Sequence, residues 1–264
     1  MTTSDMMKET VKEKYGKIAM YGTGGCGCNC GCSDNQEFNM MADDYNTVEG
    51  YVPDADLNLG CGIPTEFANI KQGHTVLDLG SGAGNDAFIA SKLVGATGKV
   101  IGLDMTEEMI DKANYNKDSL KADNVDFILG EIENMPLSND TVDVVVSNCV
   151  LNLVPDKVKA FGEIHRVLKP GGNFCISDIV LDGELPDRLM SIAKFYTGCV
   201  TGAEQIADYL SIIKEAGLSK IDIHKKNEVI LPEELLNDYL EAHEIESYIN
   251  SGTAIYSITI SGVK

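Results

Sequence analysis

Between His74 and Val180 the chain repeats one rhythm: a short apolar run, then a longer stretch whose apolar residues recur three and four apart. The runs "HTVLDLG", "KVIGLD", "VDFILGE", "VDVVVSNCV" and "NFCISDIV" predict strands at residues 74–80, 99–104, 125–131, 142–150 and 173–180. Between them, "DAFIASKLVG" predicts a helix closed by Gly95, and "TEEMIDKANYNKDSL" a helix capped by Thr106 with acids in its first turn. A third helix, "DKVKAFGEIHRVLKPGG", is predicted to end at Pro170 and two glycines. Strands that are apolar throughout are buried on both faces, so the alternation predicts an α/β fold with a doubly wound, mostly parallel sheet. Such sheets bind ligands beyond the carboxyl ends of their strands, near the switch point.

The flanks follow other patterns. Residues 5–20 predict a short helix, residues 21–36 are Gly/Cys-rich, and residues 37–72 form an irregular lead-in with the turn signals "VPDAD" and "LGCGIP". After Leu181 a Pro-interrupted, helical insertion over 182–202 ends in "YTGCVTGA", and "AEQIADYLSIIKEAGL" predicts a further helix. "TAIYSITISGVK" closes the chain as a strand. The expected division is an N-terminal helix and Cys/Gly-rich arm (1–36), a ligand-binding core with its lead-in (37–181), and an insertion with the C-terminal part of the sheet (182–264).

Charge narrows the class of ligand. The 264 residues carry 41 acidic and 21 basic side chains, a formal charge of −20. That field repels nucleic acid, anionic membranes and polyphosphates, but not a neutral or cationic small molecule. No apolar run approaches the roughly 18 residues that span a bilayer, and "MTTSDMMKETVKEKYGK" lacks the apolar stretch of a signal peptide. The expectation is a cytoplasmic protein with neither nucleic-acid nor membrane partner.

"VLDLGSGAGND", residues 76–86, carries the first chemical signal. Gly80, Gly82 and Gly84 let the backbone turn tightly and approach a ligand. A dinucleotide site uses a similar loop, but three acidic positions argue against it. Asp78, inside the strand end, can hold an ammonium and would repel a pyrophosphate. Asp104, ending the next strand, can accept two ribose hydroxyls. Glu131, in "LGEIENMP", is placed to reach an adenine edge, and Met105 to pack on the adenine face. An amino-acid end, a ribose and an adenine without phosphate describe S-adenosylmethionine. The candidate cofactor set is Asp78, Gly80, Ser81, Gly82, Gly84, Asp104, Met105, Glu131, Ile132 and Asn148.

This arrangement resembles the class I S-adenosylmethionine-dependent methyltransferases, which implies a seven-stranded sheet whose last strand runs antiparallel. The motifs "LGCGIP", "SNCVLNLVPDK", "HRVLKPGG" and "SDIVLDGELPD" are similar to the arsenite methyltransferase family, as are "VKEKYGKIA" and "YTGCVTGA". The similarity runs from about Val11 to Gly217. It implies methylation of trivalent arsenic for detoxification. It further implies that As(III) is held at Cys61, Cys149 and Cys199 and that its lone pair attacks the sulfonium methyl. As(III) is soft and prefers thiolate sulfur, and As(OH)₃ is uncharged, so an acidic protein does not repel it. The resemblance further implies arsenite or its thiol conjugates as substrate. It also implies re-reduction of arsenic by protein cysteines that form a disulfide, reopened by a thioredoxin- or glutathione-type reductant.

The eight cysteines are Cys26, Cys28, Cys30, Cys32, Cys61, Cys149, Cys175 and Cys199. Cys175, within "NFCISD", reads as a core thiol. "GGCGCNCGCSDN" spaces its thiols at every second residue, unlike the C-x₂₋₄-C of zinc sites. It reads as a thiol arm that captures arsenite and helps re-reduce the site, with Cys30 or Cys32 as the redox cysteine. A metal scavenger is the competing role for the arm. For the whole chain, the alternatives are another small-molecule C- or O-methyltransferase and a thiol-rich protein that sequesters metalloid.

Overall fold

The computed structural model describes residues 3–21, 45–186, 202–230, 236–237 and 240–264. A helix α1 (Thr3–Tyr21) precedes the alternating region β1 (Thr75–Leu79), α2 (Asn85–Val94), β2 (Lys99–Asp104), α3 (Glu107–Leu120), β3 (Val125–Leu129), β4 (Val142–Asn148), α4 (Lys157–Val167) and β5 (Leu168–Asp182). Then follow α5 (Ile206–Glu215), β6 (Ser219–Glu228), α6 (Ala242–Ser251) and β7 (Ala254–Val263). The seven strands form one sheet in the order β3-β2-β1-β4-β5-β7-β6. β1 to β5 are mutually parallel, and β7 runs antiparallel to both β5 and β6. The expected doubly wound sheet with an antiparallel last strand is therefore present.

Both faces of the central strands are buried, and the strand period sorts their residues between two cores. Val76, Val100, Val144 and Val146 pack with Ala87, Phe88 and Val94 of α2. Their neighbours Leu77, Ile101 and Val145 pack with Phe161 and Ile164 of α4 and with Tyr209 and Ile213 of α5. Two covered faces explain why these strands read as unbroken apolar runs rather than alternating ones. The second core contains a buried polar tie: the Tyr209 hydroxyl donates to Asp178 of β5 at 3.0 Å. Burial pushes that carboxyl up to about 7.

Several boundaries differ from the sequence reading, each for a local reason. α4 ends at Val167, not at Pro170, and β5 begins at once with Leu168 at φ −65°, ψ 137°. The residue before a proline is driven out of the helical region, so extended backbone starts ahead of the glycines. Thr106 occupies the N-cap of α3, but its side chain makes no cap hydrogen bond. Asp156 does cap α4, accepting from the Lys159 N–H at 2.9 Å. β3 ends at Leu129 and β4 at Asn148, each two residues earlier than expected. β4 stops because Cys149 turns into the left-handed region at φ 58°, which few residues other than glycine adopt.

Phe161 is fully buried and meets the Tyr209 ring edge-on, with centroids 5.5 Å apart. Phe161→Ala is expected to lower the unfolding free energy by about 3–5 kcal/mol. Urea denaturation checks this, with an unchanged slope expected.

Candidate active site

β1 continues to β2 and β3 on one side, and β4 and β5 lie on the other, so the carboxyl ends of β1 and β4 part at the switch point. A cleft opens there, lined by the loop after β1, the ends of β2 and β4, and α1. Gly80 makes the first turn at φ 63°, and a Cβ on it would sit 2.5 Å from Val150. Gly84 differs from the sequence expectation: at the N-cap of α2 with φ 100°, it packs between Phe88 and Phe127 and does not line the cleft. Its role is to let the helix approach the sheet.

Three carboxylates face this space. Asp78 is buried, and burial, with Asp86 and Asp104 nearby, pushes its carboxyl well above the usual range. Asp104 is also raised by burial, while its two oxygens accept from the Gly82 N–H at 3.0 Å and the Thr106 N–H at 2.9 Å. Asp86, at the start of α2, was not singled out from the sequence. Burial pushes it up to about 6 against the opposing hydrogen bonds from Asn148 and Tyr45. Asp78 Oδ2, Ser81 Oγ and Asn85 Oδ1 are buried without hydrogen-bond partners among the described residues, and all three residues line the cleft. Buried polar atoms without partners are costly. These call for a ligand that brings donors and positive charge, as an ammonium and a sulfonium do. This set of acceptors fits S-adenosylmethionine and repels phosphate.

Helix α1 covers one side of the cleft with Lys8, Val11 and Tyr15. Lys8 is ion-paired with Glu131 at 2.7 Å and also with Glu133. The Glu131 carboxylate is thus engaged by α1, which holds it below its ordinary range, rather than left open for an adenine edge as the sequence reading had it. Met105 and Ile132 both line the cleft. Met105 packs against the apolar cluster that contains Val11 of α1 and the two cysteines described next.

Cys61 and Cys149 form a disulfide, with Cα atoms 5.7 Å apart. Both are buried, and Cys149 and Gly60 reach the cleft wall. The Cys149 N–H donates to the Ser177 carbonyl at 2.8 Å, and the Cys61 carbonyl accepts from Ser257 Oγ at 2.6 Å. Asn148 lies between the cysteines and the acids. Its Oδ1 accepts from the Cys61 N–H at 3.0 Å, while its Nδ2 lies 2.8 Å from the Gly62 carbonyl and 3.0 Å from Asp86. Tyr45, also missed in the sequence, places its hydroxyl 2.8 Å from that carbonyl and 3.1 Å from both Asp86 oxygens. Cys175 is free and fully buried, and burial pushes its thiol up to about 12. Cys199 and the arm cysteines Cys26, Cys28, Cys30 and Cys32 lie outside the described residues. Among the described residues no helix is long and apolar enough to cross a membrane.

Residues 70–217 match the methyltransferase domain family. The chain is 41% identical over 257 residues to an arsenite methyltransferase of Halobacterium salinarum, an alignment covering 93% of this chain and 65% of that one. With the human arsenite methyltransferase it shares 41% identity over 155 residues, 54% of this chain and 40% of the other. The chain thus spans about two thirds of the archaeal relative's length and less of the human one. Among solved structures it is similar to an arsenic (III) S-adenosylmethionine methyltransferase from Chlamydomonas reinhardtii. The TM-score is 0.67 at 35% identity, covering 78% of this chain and 67% of that one. With its glycine-loop cleft, its seven-stranded sheet and these relatives, the chain belongs to the S-adenosylmethionine-dependent methyltransferases, in the arsenite methyltransferase family.

Proposed function

We propose that this protein transfers a methyl group from S-adenosylmethionine to trivalent arsenic held by its cysteine thiolates. The observation that carries the reading is the Cys61–Cys149 pair, whose Cys149 lies at the wall of the cleft, in a chain whose relatives include arsenite methyltransferases. When bound, S-adenosylmethionine supplies a methyl group made electrophilic by its sulfonium. Asp78 and Asp104 hold its ammonium and ribose ends, and the acidic cleft favours its positive charge.

Arsenic is the substrate. With the disulfide opened, Cys149 and Cys61 replace two hydroxyls of As(OH)₃, and Cys199 replaces the third. Each thiol gives up its proton to a departing hydroxyl as water. The arsenic lone pair is the nucleophile, so no general base is needed, and the chain's task is to aim that lone pair. Donating the pair leaves arsenic formally pentavalent. Two thiolates that close a disulfide return two electrons to it, and an external thiol reductant of the thioredoxin or glutathione type reopens the bond. The arm cysteines Cys30 and Cys32 are the proposed additional redox thiols, and the cytoplasm the compartment where such reductants work.

Arsenite-dependent formation of S-adenosylhomocysteine, in the presence of a dithiol, is the direct test. Cofactor binding without such turnover would sink the proposal. Cys149→Ser and Cys199→Ser are each expected to lower the rate by at least about 100-fold through loss of an arsenic ligand. Cys175→Ala is expected to keep most of the activity, because that thiol is walled off in the core.

Cofactor affinity is expected to depend on pH. Burial pushes Asp86 up to about 6 and raises Asp78 in the same direction. A cationic ligand prefers the ionised carboxylates, so binding releases protons and tightens as pH rises. With a carboxyl near 6, the ionised share grows from about one tenth at pH 5 to about nine tenths at pH 7. Titration calorimetry should show the dissociation constant falling roughly tenfold over that interval and levelling above it.

A further inference from the structure

We propose that Asp86 and Tyr45 are positioning residues for the Cys61–Cys149 thiol pair, acting through Asn148 to hold the Gly60–Cys61–Gly62 turn against the end of β4.

Asp86 is a buried carboxylate, and among the described residues its side-chain hydrogen-bond partners are the neutral Tyr45 hydroxyl and the Asn148 amide, with no lysine or arginine. Such a group is expensive unless its hydrogen bonds are made. Making them fixes the amide's orientation: Nδ2 is turned towards Asp86 and the Gly62 carbonyl, which leaves Oδ1 for the Cys61 N–H. Tyr45 reinforces the same point. Its hydroxyl accepts from Asn148 Nδ2 at 2.7 Å and shares its own hydrogen between Asp86 and the Gly62 carbonyl. The Cys61 N–H and the carbonyl of the next residue, Gly62, are thus both tied to a network that ends on Asp86.

The glycines on either side of Cys61 show how closely the turn is pressed. A Cβ on Gly60 would lie 2.6 Å from Asn148 Nδ2, and one on Gly62 would lie 2.5 Å from Ser177 Oγ. Ser177 is the residue whose carbonyl holds the Cys149 N–H, and its hydroxyl is 2.9 Å from Thr259 Oγ1. Cys61 is therefore set by the Asp86 network together with Ser257 of β7, and Cys149 by β5. Their spacing, a Cα separation of 5.7 Å, depends on both and suits a disulfide. Two thiols held at that spacing form a disulfide, or bridge one soft atom, without first losing chain freedom. The bridging use rests on the arsenite reading; the positioning of the thiol pair does not.

The test is the redox equilibrium of the pair in the full-length protein, without arsenite or cofactor. The protein is equilibrated with reduced and oxidised dithiothreitol from both directions. Two dithiothreitol thiols pass two electrons and two protons to the protein disulfide, giving cyclic oxidised dithiothreitol and two cysteine thiols. After acid quench and differential alkylation, mass spectrometry of the Cys61 and Cys149 peptides reads the ratio. Tyr45→Phe keeps the ring stacked on Tyr51 and removes only the hydroxyl. It is expected to shift the equilibrium about tenfold towards the dithiol, close to 30 mV for two electrons. Asp86→Asn is expected to shift it in the same direction, by at least as much. Asp104→Asn, in the same cleft but bonded to Gly82 and Thr106 instead, is expected to stay within about twofold of the parent. The proposal is overturned if folded Tyr45→Phe matches the parent within twofold, or if Asp104→Asn moves the equilibrium as far as Tyr45→Phe does. Should Asp86→Asn not fold, the other two variants still decide. Either outcome is independent of whether the protein turns over arsenite.

Discussion

At the carboxyl end of β4 a single carboxamide serves a backbone N–H, a backbone carbonyl, a phenol and a buried carboxylate at once. Hydrogen bonds in such a dry place are stronger than in water, and each one left unmade costs more. Asn148 therefore admits few rearrangements. Four distant parts of the chain meet on it: the segment carrying Tyr45, the Gly60–Gly62 turn, the first turn of α2 through Asp86, and β4 itself. Ser177 and Ser257 tie the same turn and its partner cysteine to β5 and β7. The cysteine pair is the product of this convergence more than of either cysteine's local sequence.

The same region concentrates negative charge where water is scarce. Asp78, Asp86 and Asp104 all have their carboxyls raised by burial. A raised carboxyl means that the ionised form is held at a cost, and a cationic ligand offsets that cost. The acidity of the whole chain, −20, draws cations from a distance. The buried acids then select among them by geometry. α1 brings the countercharge: Lys8 meets Glu131 and Glu133 at the rim, and among the described residues no lysine or arginine is bonded to the deeper acids.

Much of this was legible in the sequence, and the reasons are specific. Strands buried on both faces are written as apolar runs, so β1, β2, β4 and the inner part of β5 stand out. Asp78 is readable because it lies two residues before the glycine loop at the end of β1, and Asp104 because it ends the next strand, β2. Glu131 is expected from the sequence to reach an adenine edge, yet its carboxylate is directed to Lys8, 123 residues away along the chain. Gly84 belongs to the same loop motif but serves helix packing against Phe88 and Phe127. A motif records which positions lack a side chain and not which neighbour requires it.

What the sequence by itself determined is the order of elements, the class of sheet, the acidic character of the cleft and the set of cysteines open to soft-atom chemistry. These follow from local periodicity, from glycine's missing Cβ and from the intrinsic chemistry of thiols and carboxylates. Only the tertiary structure decided which thiols pair, and that Tyr45 and Asp86 stand behind that pairing. Cys61 and Cys149 are 88 residues apart, and Tyr45 is 103 residues from Asn148. No pattern of short period carries contacts over such separations. They arise where the sheet parts between β1 and β4, because closing the fold there brings these segments into one water-poor space in which every polar group must find a partner.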